Sequence, residues 1–152
     1  MIPEVISFFR NSVPECLLVV HPDIQHLGKF EGMIRADYPV VCLQIGKELS
    51  AVLLTTPPSQ RSRAARQWLE IALREKAPGP VLCMDIDLLF QPSFDLDPLL
   101  LFRQISRFTR LLVLWPGVYG EGVLVYAVPE HRHYRIWRQP HVAITGVPNA
   151  LS

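Results

Sequence analysis

Five short apolar runs limit what this chain can fold into. They occupy residues 16–20, 40–43, 81–84, 111–115 and 123–128, and each is rich in Val and Leu. Runs this short have the length of strands, and their unbroken apolar character suits strands buried on both faces. Such strands belong in a parallel sheet with right-handed crossovers and helices on either side. The segments between them agree: 2–11, 27–35, 46–54, 60–76 and 97–107 are helix-compatible. In the longest, Ala65, Trp68, Leu69, Ala72 and Leu73 recur at helical spacing, and Ser59 is a candidate N-cap. The fifth run follows the fourth after only Pro116-Gly117 and the turn-like stretch 119–122, too briefly for a crossover helix. An antiparallel fifth strand, or a different strand boundary, are the two alternatives there.

The expected fold is α/β: a mostly parallel five-stranded sheet with helices on both faces and no lid, in one domain over 1–143. Residues 144–152, which include Pro148, read as a short, fraying C-terminal tail. A length of 152 residues fits one domain with a genuine core, and 49% apolar against 19% charged residues excludes a disordered chain. The net charge of +1 provides no global field for DNA or an anionic membrane, so any nucleic-acid role needs a local patch. Cys16, Cys42 and Cys83 each sit in an apolar run and read as buried thiols of a reducing compartment. With no cleavable leader pattern and no membrane-length apolar run, a cytoplasmic location is expected.

Chemistry in such a sheet gathers beyond the carboxyl ends of the strands. After the first run the chain continues from His21 to Gly28-Lys29-Phe30, with Gly28 and Lys29 placed as in a phosphate-binding loop before a helix. Glycines there let backbone N–H groups wrap phosphates, the lysine neutralises charge, and a following hydroxyl holds Mg²⁺. Asp23 occupies the first glycine's position and Phe30 replaces the hydroxyl residue, so both changes oppose ATP binding. A plain strand-to-helix turn is the alternative.

The run Val81-Leu-Cys-Met-Asp85 has the Walker B form, in which a strand-end aspartate holds Mg²⁺. Ile86 stands where active ATPases of this type place a water-polarising glutamate, and Asp87 follows one residue later. The alternative is that both acids cap or solvate the next turn. Among Arg103, Arg107 and Arg110, Arg107 is the candidate arginine finger, against simple stabilisation of a helix C-terminus. Trp115 reads as core. Tyr126, Tyr134 and Trp137, interleaved with Arg132, Arg135 and Arg138, form a candidate stacking surface or a closing element of the sheet. His131 and His133 lack further ligands at zinc spacing.

The segments 81–90, Asp97-Pro98, Ile105-Ser-Arg107, Leu114-Trp-Pro-Gly117 and 124–127, with Glu130-His131 and Tyr134-Arg135, together resemble the BrxF family. These are small P-loop proteins of bacterial BREX systems, gene clusters that restrict bacteriophage. The resemblance covers mainly residues 81–138. It implies a P-loop NTPase-like fold of the ASCE or AAA type, Gly28 and Lys29 as nucleotide-binding positions, and Asp85 as the Mg²⁺ position. It also implies other BREX defence proteins as partners. The expected function is that of a defence subunit with a degenerate loop, acting by assembly rather than efficient hydrolysis and forming a homo-oligomer. One alternative is an oligomeric ATPase in which Lys29 and Asp85 bind Mg-ATP, Asp87 positions water and a neighbour's Arg107 completes the site. Another is a DNA-binding accessory protein using the clusters that begin at Arg61, Arg103 and Arg132. No membrane association is expected.

Overall fold

The computed structural model describes residues 2–126 and 135–149. Helix α1 (Pro3–Arg10) precedes β1 (Cys16–His21), and α2 (Ile24–Asp37) leads to β2 (Val41–Gln44). Next come α3 (Ile45–Leu53), α4 (Arg61–Arg74) and β3 (Val81–Met84). Two 3-10 turns and α5 (Pro98–Ile105) carry the chain to β4 (Leu111–Gly120). The hairpin strands β5 (Val123–Tyr126) and β6 (Arg135–Arg138) follow, and then β7 (Ala143–Gly146). The parallel core runs β2-β3-β4-β1-β7, and β5 and β6 extend antiparallel from the outer half of β4.

The α/β class and the mostly parallel sheet are as expected, but the described residues form seven strands rather than five. Residues 144–146 lie in β7, paired with β1 through Leu18↔Ile144 and Val20↔Gly146, not in a tail. Neither added strand has an apolar run. In β6, Arg135 and Trp137 face one way and Ile136 and Arg138 the other, while β7 mixes Ala, Ile, Thr and Gly. The fifth strand is antiparallel.

Nor does β4 stop at Pro116-Gly117. It pairs with β1 as far as His21↔Pro116 and then with β5 from Gly117↔Tyr126, so Pro116 sits at the end of one ladder where partners change, a place that tolerates its missing N–H. Glycine at 117 follows from the close approach of β5: a Cβ there would lie 1.8 Å from the Val125 carbonyl oxygen.

Alternate residues of each strand face two cores. Leu17 and Val19 of β1 pack with Val5 and Phe8 of α1 and with Leu27, Phe30 and Ile34 of α2. Leu18 and Val20 face α3, α4, α5 and the aromatic residues of the hairpin. Burial on both sides explains the continuous apolar runs, each buried Val or Leu contributing roughly 1.5–3 kcal/mol. α4 starts at Arg61 after a 3-10 turn over Pro58–Gln60, so Ser59 lies in that turn and α4 has no side-chain cap. α5 is capped by Asp97, whose Oδ1 accepts the Leu100 N–H at 3.1 Å.

Arg110 is structural. Buried beside the Phe8 ring at 4.2 Å, it donates from Nε to the Val13 carbonyl at 3.0 Å and from Nη2 to the Phe8 carbonyl. It ties α1 to the start of the sheet.

Candidate functional site

From β1 the chain crosses one face of the sheet through α2 to the far edge, then works back through α3, α4 and α5 on the other face. The connections therefore part company beyond the carboxyl ends of β1, β3 and β4, where an open parallel sheet forms its crevice. A cavity of about 410 Å³ lies there, lined by Ile24, Leu27 and Gly28 of α2, Lys47 of α3, Asp85 and Asp87, among others.

The turn from β1 to α2 is only Pro22 and Asp23. Asp23 is the N-cap: its Oδ1 accepts the Gln25 N–H at 2.9 Å, and its own N–H donates to His21 Nδ1 at 2.9 Å. The rings of His21 and His26 stack at 4.1 Å. They bond the segment after β7, His21 Nε2 to Asn149 Oδ1 at 2.9 Å and His26 Nε2 to the Pro148 carbonyl at 2.5 Å. The turn is thus closed by side chains of this protein. Gly28 and Lys29, expected to end a phosphate loop, lie inside α2, in its second turn. Gly28 lines the cavity; Lys29 is exposed and does not. Phe30, at the hydroxyl position, is fully buried under the sheet. These residues do not fit a phosphate cradle, because the N–H groups that would wrap an anion are committed to a helix capped by a carboxylate.

Asp85 and Asp87 do reach the crevice, as expected, but each already has a partner within the chain. Asp85 has φ 57°, and its carbonyl accepts the Gly46 N–H at 2.7 Å. A backbone hydrogen bond from Lys47 reaches the Asp85 carboxylate. Asp85 therefore caps α3 from a distant part of the chain, where the helix's own N-cap, Gln44, makes no side-chain bond. Gly46 permits this, since a Cβ there would lie 2.5 Å from Asp85 Oδ2. Partial burial, and then the nearby Asp87, push the Asp85 carboxyl above its ordinary range, while the Lys47 bond opposes them. Asp87 Oδ1 accepts the Tyr126 hydroxyl at 2.6 Å. Burial, then that bond, push the Tyr126 phenol well up. Ile86, between the acids, is fully buried, so the position of the missing glutamate belongs to the core.

Arg107 lies elsewhere. It follows α5 and precedes β4, at the opposite end of the sheet from Asp85. Trp115 is fully buried, and Tyr126 and Trp137 join it rather than forming a stacking surface. Phe90 stacks on Tyr126 at 3.7 Å and meets Trp115 edge-on at 5.1 Å, and Trp115 meets Trp137 at 5.3 Å. Trp137 Nε1 donates to Asp97 Oδ1 at 3.0 Å, and Arg135 donates to the Leu96 carbonyl at 2.8 Å. Arg132, Tyr134, His131 and His133 lie outside the described residues. Among the described residues no group of three or more His, Cys, Asp or Glu side chains is placed to hold a metal ion, and no helix is long and apolar enough to cross a membrane.

Sequence reasoning missed Lys47, Gly46 and the His21–His26 pair. The one available signal was Asp23 beside a strand end, an N-cap pattern that starts the helix before Gly28. Comparison with protein-family models, curated proteins and solved structures gives no match.

Proposed function

We propose that the chain is a non-hydrolysing α/β subunit of P-loop NTPase-like type that works by contacts within a BREX-type antiphage assembly. One observation carries the loss of hydrolysis: the β1–α2 turn is two residues long, with the Asp23 carboxylate on the helix N-terminus where a phosphate would need to sit. A carboxylate there already takes up the positive end of the helix dipole and repels an incoming phosphate.

Support for the P-loop-like ancestry is architectural. β1 lies inside a parallel sheet, α2 starts at its carboxyl end, and β3 ends in Asp85 at the same crevice. Support for the BREX reading is the residue signature over 81–138. Several of its described members, Asp87, Phe90, Asp97, Trp115 and Tyr126, meet in one unit with Trp137 through hydrogen bonds and ring contacts. Such a unit preserves a shape rather than a reaction, as a subunit acting by contact requires.

Isothermal titration with Mg-ATP and a phosphate-release assay test the reading. No micromolar binding and no turnover are expected. Micromolar binding together with turnover abolished by Lys29→Ala would overturn it in favour of the ATPase alternative.

A further inference from the structure

The arginines on the helical face away from the crevice have no place in the function so far. α4 exposes Arg63, Arg66 and Arg74 along one side, and Arg107 is exposed just after α5, which packs beside α4. Between the two helices lies a cavity of about 170 Å³, lined by Glu70, Arg74, Leu101, Gln104, Ile105, Arg107 and Phe108 in all. Phe108 is 53% exposed, and its outer ring face carries the Arg74 guanidinium at 4.2 Å. Glu70 is the acid within this groove and is bonded to Arg74 at 3.2 Å. Leu100 adds exposed apolar surface on α5.

We propose, building on the assembly reading above, that this α4–α5 groove docks an acidic segment of a partner protein, with one apolar side chain of that segment inserted beside Phe108. The charge argues for an acidic occupant: Arg74 and Arg107 line the groove against Glu70 alone, which Arg74 already pairs, and the exposed Arg63 and Arg66 continue the positive charge along α4. The groove argues for a peptide rather than a nucleic-acid duplex, because the duplex keeps its bases stacked inside and its phosphate backbone offers no apolar group to a cavity walled by Leu101, Ile105 and an exposed aromatic ring. An apolar anchor ringed by arginines is the composition that dominates binding energy at protein interfaces. Carboxylates at the rim would pair with arginine forks, adding speed of encounter and register more than affinity.

Fluorescence anisotropy at low salt tests this with the intact chain and three labelled probes: an acidic peptide with one central leucine, its leucine-to-serine counterpart, and a short DNA duplex. Saturable binding of the leucine peptide is expected, weakened about tenfold or more by Phe108→Ala or by Arg107→Glu. Arg35→Glu, exposed on α2 across the sheet from α4 and α5, should leave it unchanged, and circular dichroism should show all three variants folded. Both altered side chains in the groove are solvent-exposed, so neither substitution removes core packing. Equal binding of the serine peptide, tighter binding of DNA, indifference to both groove variants, or no saturable binding would each overturn the proposal. Turnover of Mg-ATP would sink the non-hydrolysing reading and leave this binding curve as it stands, so the two failures are separable.

Discussion

Asp85 shows how a residue at the position expected of a metal ligand can serve a structural end. Its carboxyl is raised above the ordinary range, so its ionisation opposes folding. A group raised in this way contributes stability that is fully present below its unfolded pKa, about 3.9, and lost as pH rises through the folded value. Asp85→Asn, which keeps an acceptor for Lys47, is therefore expected to be more stable than the wild type at pH near 7. The gap should close on acidification to about pH 4, as urea unfolding at the two pH values will show. A gap that widened in acid would contradict the assignment. Gly28 gives a second residue-scale test. A Cβ there meets nothing within 4 Å, so Gly28→Ala should raise stability by about 0.5–1 kcal/mol, as expected of a helix interior. Destabilisation instead would indicate a loop glycine. At position 117 the sign reverses: Gly117→Ala must push β5 away and should cost about 1–3 kcal/mol or more in the same assay. The losses at Asp23, Phe30 and Ile86 were legible in the sequence, because each replaces a group with a known task. What they do instead, capping a helix or filling a core, depended on partners remote in sequence.

At the scale of elements, legibility followed burial. The strands of the parallel core with both faces covered announce themselves as unbroken Val and Leu runs. β6, with one face half-exposed, and β7, four residues at the sheet edge, do not. α2 starts at Ile24, ahead of Gly28-Lys29, because Asp23 caps it; Asp23→Ala should cost about 1 kcal/mol and lower the melting temperature. The hairpin is held by its aromatics. Trp137→Ala removes ring contacts to Phe90 and Trp115 and a bond to Asp97, and is expected to cost about 3–5 kcal/mol with loss of the near-ultraviolet aromatic signal. A cost below 1 kcal/mol would mean that the hairpin is a loose appendage.

Over the whole molecule, two cores share one sheet, with an acidic crevice at one end and an arginine-bearing groove on the helical layer. Thiol accessibility reports on that layering. The Cys16 thiol is buried and pushed up to about 12, Cys83 is likewise buried and raised, and Cys42 at the edge is only half-buried. Iodoacetamide on the native protein should label Cys42 first, with Cys16 and Cys83 reacting only on unfolding. The pairing of β1 with β7 also bears on how the chain is made. His21 and Asn149 are 128 positions apart, so as the polypeptide leaves the ribosome β1 waits for almost the entire sequence before its second neighbour exists. Until then an all-apolar strand offers an open backbone edge to any passing chain. A nascent or clipped product ending before β7 is thus expected to aggregate more readily than one that includes it, with β7 acting as the seal on β1.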